Sequence, residues 1–353
     1  MSFIKKLKKH WDAWKDTRLS FKKVRELSLY PDVPQKKLSQ IRSELYWLCS
    51  NDKRGSWGTG DTIEDYFNMG IDRAGQDMHQ YYFRSELDAL RNLKQPLASN
   101  ALKDKWLTSE HLSLHGVPTS RPILYKTPFI SVDDALQKIK SSGETKFFAK
   151  KVDGSLGAGA FSFRAENDSY ILDDGDILSG VALINRLDNY IVESYINQHE
   201  ALGKLYPHGV SSLRVVTVCD KGKIQIILAT LLVGAGGLSM SNFHQGGLRV
   251  PIDINTGELS EKGLRTKVKR GWYTAHPDTG VPFKGFCIPH WSEVMNLVIR
   301  AHKCFPIIHS VGWDVAISTS GPLIIEGNQR WVPHSFQFTY GPGRAYMNQF
   351  FLN

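Results

Sequence analysis

Gly312-Trp313-Asp314-Val315-Ala316-Ile317-Ser318-Thr319-Ser320-Gly321-Pro322-Leu323-Ile324-Ile325-Glu326-Gly327-Asn328 reads as two strands folded about a turn. Val-Ala-Ile and Leu-Ile-Ile are β-prone apolar runs, and the Ser-Thr-Ser-Gly-Pro between them is turn chemistry. Side chains two apart on a strand share a face, so Glu326 and Asn328 point the same way. A hairpin sets Asp314 opposite them. Three oxygen-bearing side chains then gather at one end of an apolar strand pair. Two carboxylates brought together without a cation oppose each other's ionisation. Mg²⁺ removes that conflict, because it takes hard oxygen ligands, keeps several waters and completes its shell with phosphate oxygens. Taken singly, Asp314 and Glu326 read as ordinary strand-end acids; the Asp, Glu and Asn set reads as a metal site for Mg²⁺, or Mn²⁺ in its place.

Toward the N-terminus, a strand over 146–152 ends in Lys150-Lys151 and runs into Gly154-Ser155-Leu156-Gly157-Ala158-Gly159-Ala160. Glycines let backbone N–H groups approach phosphate oxygens closely. This loop joins two strands and lacks the Gly-Lys-Ser/Thr that opens a helix in the P-loop pattern. Taken alone it reads as a flexible turn; Lys150 beside it, able to reach the same phosphates, strengthens the functional reading. Further strands are predicted at 122–126, 161–163, 190–193, 212–219 and 223–233, the last two joined by Lys221-Gly222 as a hairpin turn. Helices are predicted at 36–50, 76–94, 101–115 (ended by Gly116-Val117-Pro118), after Ser131 as N-cap, and from Val294 to Cys304. Strands meeting through hairpins, with helices grouped between them, indicate an α+β fold rather than a doubly wound parallel sheet.

The 353 residues, 41% hydrophobic and 22% charged, can bury two or three packed lobes and exclude wholesale disorder. Net charge is 44 − 35 = +9. Residues 1–26 hold nine Lys or Arg against three acids, +6 of that total, so the body is barely basic. With no interleaved basic and aromatic module, no nucleic-acid partner is expected. In the basic segment Phe3, Ile4, Leu7, Trp11 and Trp14 fall at helical spacing over 3–27. That pattern suits either an apolar stripe packed on the body or peripheral contact of residues 1–27 with an anionic membrane. No run is long enough to span a bilayer, and no apolar h-region marks a secretory signal. Cys49, Cys219, Cys287 and Cys304 are scattered without metal-ligand spacing and read as reduced thiols of a cytoplasmic protein. The domains expected are a helical region over 1–96, a lobe with the glycine loop over 97–189, and a lobe with the metal and substrate site over 190–353.

Over residues 97–345 the order of these motifs resembles the ATP-grasp superfamily, which includes D-alanine–D-alanine ligase-type enzymes, and in particular its sugar-transfer-associated branch. The resemblance implies two α+β lobes sandwiching ATP. It assigns Lys105, after Asp104, to ATP phosphate. Phe147–Gly159 is similar to the family's second-lysine strand and phosphate loop, which places Lys150, Lys151, Gly154, Ser155, Gly157 and Gly159 around the phosphates. Lys151 stands where a proline is common. Tyr190–Ile196 resembles the hinge between lobes, so Glu193 is expected near the adenine amino group, with the main chain of Tyr195 and Ile196 pairing with the ring. Glu200, seven residues on, takes the ribose role. Asp314, Glu326 and Asn328 match the metal ligands. Arg214 is expected at phosphate or an acyl-phosphate. Trp313 stands where many ligases carry an Arg, leaving Arg214, Arg249 or Arg330 to meet transition-state charge. Lys150, Arg214 and Arg330 are the expected catalytic residues.

The function implied is an ATP- and Mg²⁺-dependent ligase joining a small carboxylate to an amine through an acyl-phosphate, in polysaccharide or natural-product biosynthesis. The glycine loop and 234–247 are its expected lids. The rivals are an ATP-grasp-like kinase that stops at phosphorylation and a non-catalytic nucleotide-binding or membrane-docking adaptor. No oligomeric state follows from the sequence.

Overall fold

The computed structural model describes residues 3–51, 59–94, 102–152, 154, 159–237 and 246–352. Ser155 and Gly157 of the glycine loop, 54–58 of the expected loop over 54–61, and 238–245 of the second expected lid lie outside the described residues. The chain opens with helices α1 (Phe3–Asp16), α2 (Phe21–Leu27), α3 (Leu38–Asn51), α4 (Thr59–Asn68), α5 (Arg84–Lys94) and α6 (Lys105–Leu114). Then follow β1 (Pro122–Lys126), α7 (Val132–Ser141), β2 (Lys146–Lys151), β3 (Phe161–Glu166), β4 (Ser169–Leu172), β5 (Ile177–Ser179), α8 (Gly180–Arg186), β6 (Tyr190–Ser194) and α9 (Glu200–Leu205). The remainder is β7 (Ser212–Asp220), β8 (Lys223–Val233), β9 (Leu248–Pro251), β10 (Gly263–Arg265), β11 (Gly271–Tyr273), α10 (Trp291–Lys303), β12 (Ser310–Ser318), β13 (Gly321–Asn328), α11 (Pro333–Tyr340) and α12 (Arg344–Phe351).

Packing divides the chain into two compact units: Met1–Pro96 with Gly263–Tyr273 and Arg330–Asn353, and Leu97–Lys262 with Thr274–Gln329. Segments 263–273 and 330–353, which the sequence reading groups with the C-terminal lobe, thus belong with the N-terminal helices. In this first unit the Gln337 side chain accepts from the Tyr82 backbone N–H at 2.9 Å and donates to its carbonyl at 2.7 Å. Arg344 holds Glu86 at 2.7 Å. The single helix expected over 3–27 is two helices, because Ser20 caps the second by accepting from Lys23 N–H at 3.1 Å. The helix expected over 76–94 is a short 3₁₀ turn at Met78–Gln80, capped by Asp77, followed by α5.

The second unit holds two antiparallel arrays. One sheet has the order β1-β6-β2-β3-β4-β5. Its core of Leu124, Phe147, Phe163, Leu183, Ile184 and Val192 is closed by α7 and α8. Ser131 caps α7 as expected, accepting from Asp134 N–H. In the other array β9-β8-β7-β12-β13 lie side by side. Helix α10 covers it with Val294, Leu297, Val298 and Ala301, the i, i+3, i+4 stripe of an amphipathic helix. The β7–β8 hairpin turns on Lys221 and Gly222, both left-handed (φ 49° and 79°), the conformation a tight two-residue hairpin demands.

Candidate active site

The β12–β13 hairpin forms as its sequence dictates, with Ser318 opposite Gly321 and Asp314 opposite Glu326. Asp314 also faces Arg214 of β7, so Arg214, Asp314 and Glu326 make one row across three strands. A β-bulge follows: Val315 pairs with Ile324, leaving Ile325 unpaired. A bulge re-aims the strand locally, and the Ile325 carbonyl accepts from Lys150 Nζ at 3.5 Å.

The row is tightly bonded. Arg214 grips Asp314 with two hydrogen bonds, of 2.5 and 2.9 Å. Asn328 Nδ2 donates to Glu326 Oε1 at 2.9 Å and to Asp314 Oδ2 at 3.3 Å. Burial pushes the Asp314 carboxyl up to about 6 against the pull of Arg214, with Glu326 adding to the rise. For Glu326 burial also raises, but the Asn328 hydrogen bond and the ammonium groups of Lys105 and Lys150 outweigh it and hold the carboxyl below its usual range. The result is two neighbouring carboxylates with different proton affinities, neutralised by three cationic side chains.

Lys105 occupies the first turn of α6, directly after the N-cap Asp104, where the helix dipole disfavours a cation. Its ammonium donates to the Gly154 carbonyl at 2.5 Å and lies 3.9 Å from Glu326. Lys150 is buried with Glu193, their side chains 9% and 5% exposed and 2.8 Å apart. Lys151, the next residue, alternates outward and is exposed, so Lys150 is the lysine turned to the cluster. Glu193 also accepts from the Ser120 hydroxyl at 2.9 Å; its carboxylate is thus engaged with Lys150 and Ser120. At the far end of the glycine loop Gly159 has φ +76°, and a Cβ there would stand 2.9 Å from the Tyr190 hydroxyl. That hydroxyl donates to the Gly159 carbonyl at 2.9 Å and pins the loop's return.

The stretch after β6 runs along the β12–β13 turn: Thr319 N–H donates to the Asn197 carbonyl and His199 N–H to the Ile317 carbonyl. Tyr195 N–H donates to the Lys146 carbonyl, and the Lys146 ammonium sits 3.7 Å over the Tyr195 ring. Ile196 is half-buried in the same stretch, and Glu200, exposed, opens α9. Trp313 faces away from the row. It is fully buried, and its indole N–H donates to the Thr217 hydroxyl at 2.9 Å. Buried His302 shares that hydroxyl at 2.7 Å. Arg249 of β9 lies opposite Leu232 and shares the sheet face of Arg214, two strands away. Arg330 is exposed and falls in the other unit.

Among the described residues no group of three or more His, Cys, Asp or Glu gathers. The candidate metal set is two carboxylates and an amide, hard oxygen donors without a soft ligand, which suits Mg²⁺ or Mn²⁺ over Zn²⁺. Ser120 and the Ile325 carbonyl were missed by sequence reasoning. A serine has no distinctive spacing, and a bulge leaves no residue-type signature.

Two antiparallel arrays, a glycine loop flanked by lysines, and an Asp/Glu/Asn hairpin define an ATP-grasp protein. The chain belongs to the family described as sugar-transfer associated ATP-grasp, whose model matches residues 84–349, well over half its length. Among solved structures it resembles D-alanyl-alanine synthetase A from Vibrio cholerae (13% identity, TM-score 0.45, covering 73% of this chain and 68% of that one). It also resembles VanG D-Ala:D-Ser ligase from Enterococcus faecalis (15%, 0.43, 72% and 62%). A third is N5-carboxyaminoimidazole ribonucleotide synthetase from Thermotoga maritima (12%, 0.37, 70% and 50%). The chain spans about half of the length of the carboxyaminoimidazole synthetases it matches. A sequence search of curated proteins finds no significant match.

Proposed function

We propose that this protein is an ATP-dependent ligase that joins a small carboxylate to an amine through an acyl-phosphate. The observation that carries the reading is the Arg214–Asp314–Glu326 row with Asn328 between the carboxylates and Lys105 beside them. Phosphoryl transfer asks the protein for positioning and charge neutralisation more than for covalent chemistry. Lys105 and Lys150 neutralise phosphate oxygens, and the loop that starts at Gly154 and returns at Gly159 supplies backbone N–H groups. Asp314, Glu326 and the amide oxygen of Asn328 would hold Mg²⁺, which draws charge from the nucleotide phosphates when bound. Arg214 then faces the anionic group being transferred. The γ-phosphoryl passes to a carboxylate oxygen and ADP leaves; the amine attacks the acyl carbon and phosphate leaves. Arg249, on the same sheet face, is a candidate for holding the substrate carboxylate. The family's description, sugar-transfer associated, supports a role in polysaccharide biosynthesis; an amino acid joined to a sugar acid or amino sugar is the pair we propose to test first. Use of ATP supports a cytoplasmic site of action.

The test is a phosphate-release screen of carboxylates against amines, with Asp314→Asn as the blank. Release that needs both partners supports the ligase. Release on a hydroxyl acceptor without amine dependence makes it a kinase, and nucleotide binding without ADP formation across the panel makes it an adaptor.

A further inference from the structure

We propose that α1 and α2 form a docking surface for a membrane bearing anionic lipids. Helix α1 packs on α3 and α4, and among its residues with described side chains Ala13 is the one buried within the helix. Among those same residues the two tryptophans are left outside. Trp11 is 63% and Trp14 45% exposed, and their rings stack at 5.2 Å. The Arg18 guanidinium lies 4.6 Å over Trp14. Lys8 and Lys15, three residues before Trp11 and four after it, are exposed on the same side. In α2, Phe21 is 65% exposed, and Lys22 and Arg25 are exposed as well.

A helix whose only task is packing turns its largest apolar residues inward. Here, among the described side chains of α1, the buried one is a small alanine, and two indoles face water among cations. That pattern suits the headgroup layer, where indoles settle at the interface and Lys and Arg meet lipid phosphate. Residues 1–26 hold +6 of the chain's +9, so the charge of this segment is complementary to an anionic surface. No helix among the described residues is long and apolar enough to cross a membrane; the contact is one of lying on the bilayer.

The experiment is co-sedimentation of the full chain with phosphatidylcholine vesicles, with and without phosphatidylglycerol, at low and high salt. Binding is expected only with the anionic lipid and is reduced by salt. Lys8→Gln/Lys15→Gln weakens it about 25-fold, roughly fivefold per charge. Trp11→Ala/Trp14→Ala weakens it at least about tenfold. Neither pair changes nucleotide binding or the thermal melt. Equal binding to neutral vesicles, or Trp and Lys variants that bind like the parent, overturns the proposal. So does a solution dimer dissolved by the Trp substitutions, or capture by DNA, in the absence of vesicle binding.

Discussion

At Asp314 and Glu326 two carboxylates share one patch of a strand pair. Glu326→Ala and Asn328→Ala are expected to lose at least about 10²-fold in kcat, about 2.7 kcal/mol of barrier. Steady-state phosphate release measures the loss, and a thermal melt checks that the fold is kept; near-normal turnover in both refutes the metal assignment. Arg214→Gln has a different signature. It removes the cation that grips Asp314 through two hydrogen bonds, and breaking one side of a buried pair costs about 3–5 kcal/mol. Urea melts should show that loss. Added Mg²⁺ should recover part of it by binding the folded state; no recovery would mean that Asp314 does not hold a cation. The triad was legible because alternation and a turn motif act over a few residues. The Lys150–Glu193 pair was not, since it depends on which strands become neighbours: β2 and β6 lie side by side although about 40 residues separate them in sequence.

Among the elements, β13 is closely constrained. Gly327 stands between Glu326 and Asn328, and a Cβ there would lie 2.8 Å from the Trp313 ring and 3.1 Å from Leu102. Gly327→Ala should therefore destabilise by about 1–3 kcal/mol through overpacking, read as a lower urea midpoint with unchanged slope. Gly327→Ala with parental stability would show that Trp313 moves freely. The hairpins were readable from turn chemistry, Lys221-Gly222 above all. The α1–α2 break was not, because the apolar spacing carries on past Ser20 while the Ser20 hydroxyl accepts from Lys23 N–H and opens a second helix. The short elements β4, β5, β9 and α8 carry too few residues for a period to show.

Over the molecule as a whole, stability also depends on a buried acid far in sequence from the site. Burial pushes the Asp65 carboxyl up to about 7, against the pull of Arg84, with Glu64 and Asp61 adding to the rise. A carboxyl that holds its proton more tightly when folded stabilises fully below the unfolded pKa, near 3.8, and that contribution is lost as pH climbs through about 7. Asp65→Asn should gain on the parent progressively between pH 4 and 7 and hold a constant lead above, measured by urea midpoints across that range. A flat difference would mean that Asp65 stays ionised throughout. The α+β class was readable at this scale from hairpins alone. The discontinuity of the first unit was not, because nothing local in 330–353 announces that Arg344 will seek Glu86.

That discontinuity has a consequence during synthesis. Between Pro96 and Arg330 the ribosome must add 330 − 96 = 234 residues before the closing helices exist. At about 5–20 residues per second this takes roughly 12–50 s. For that interval α4 and α5 wait without the α11 and α12 that pack on them in the finished fold, the faces so covered left open, a natural client for a chaperone.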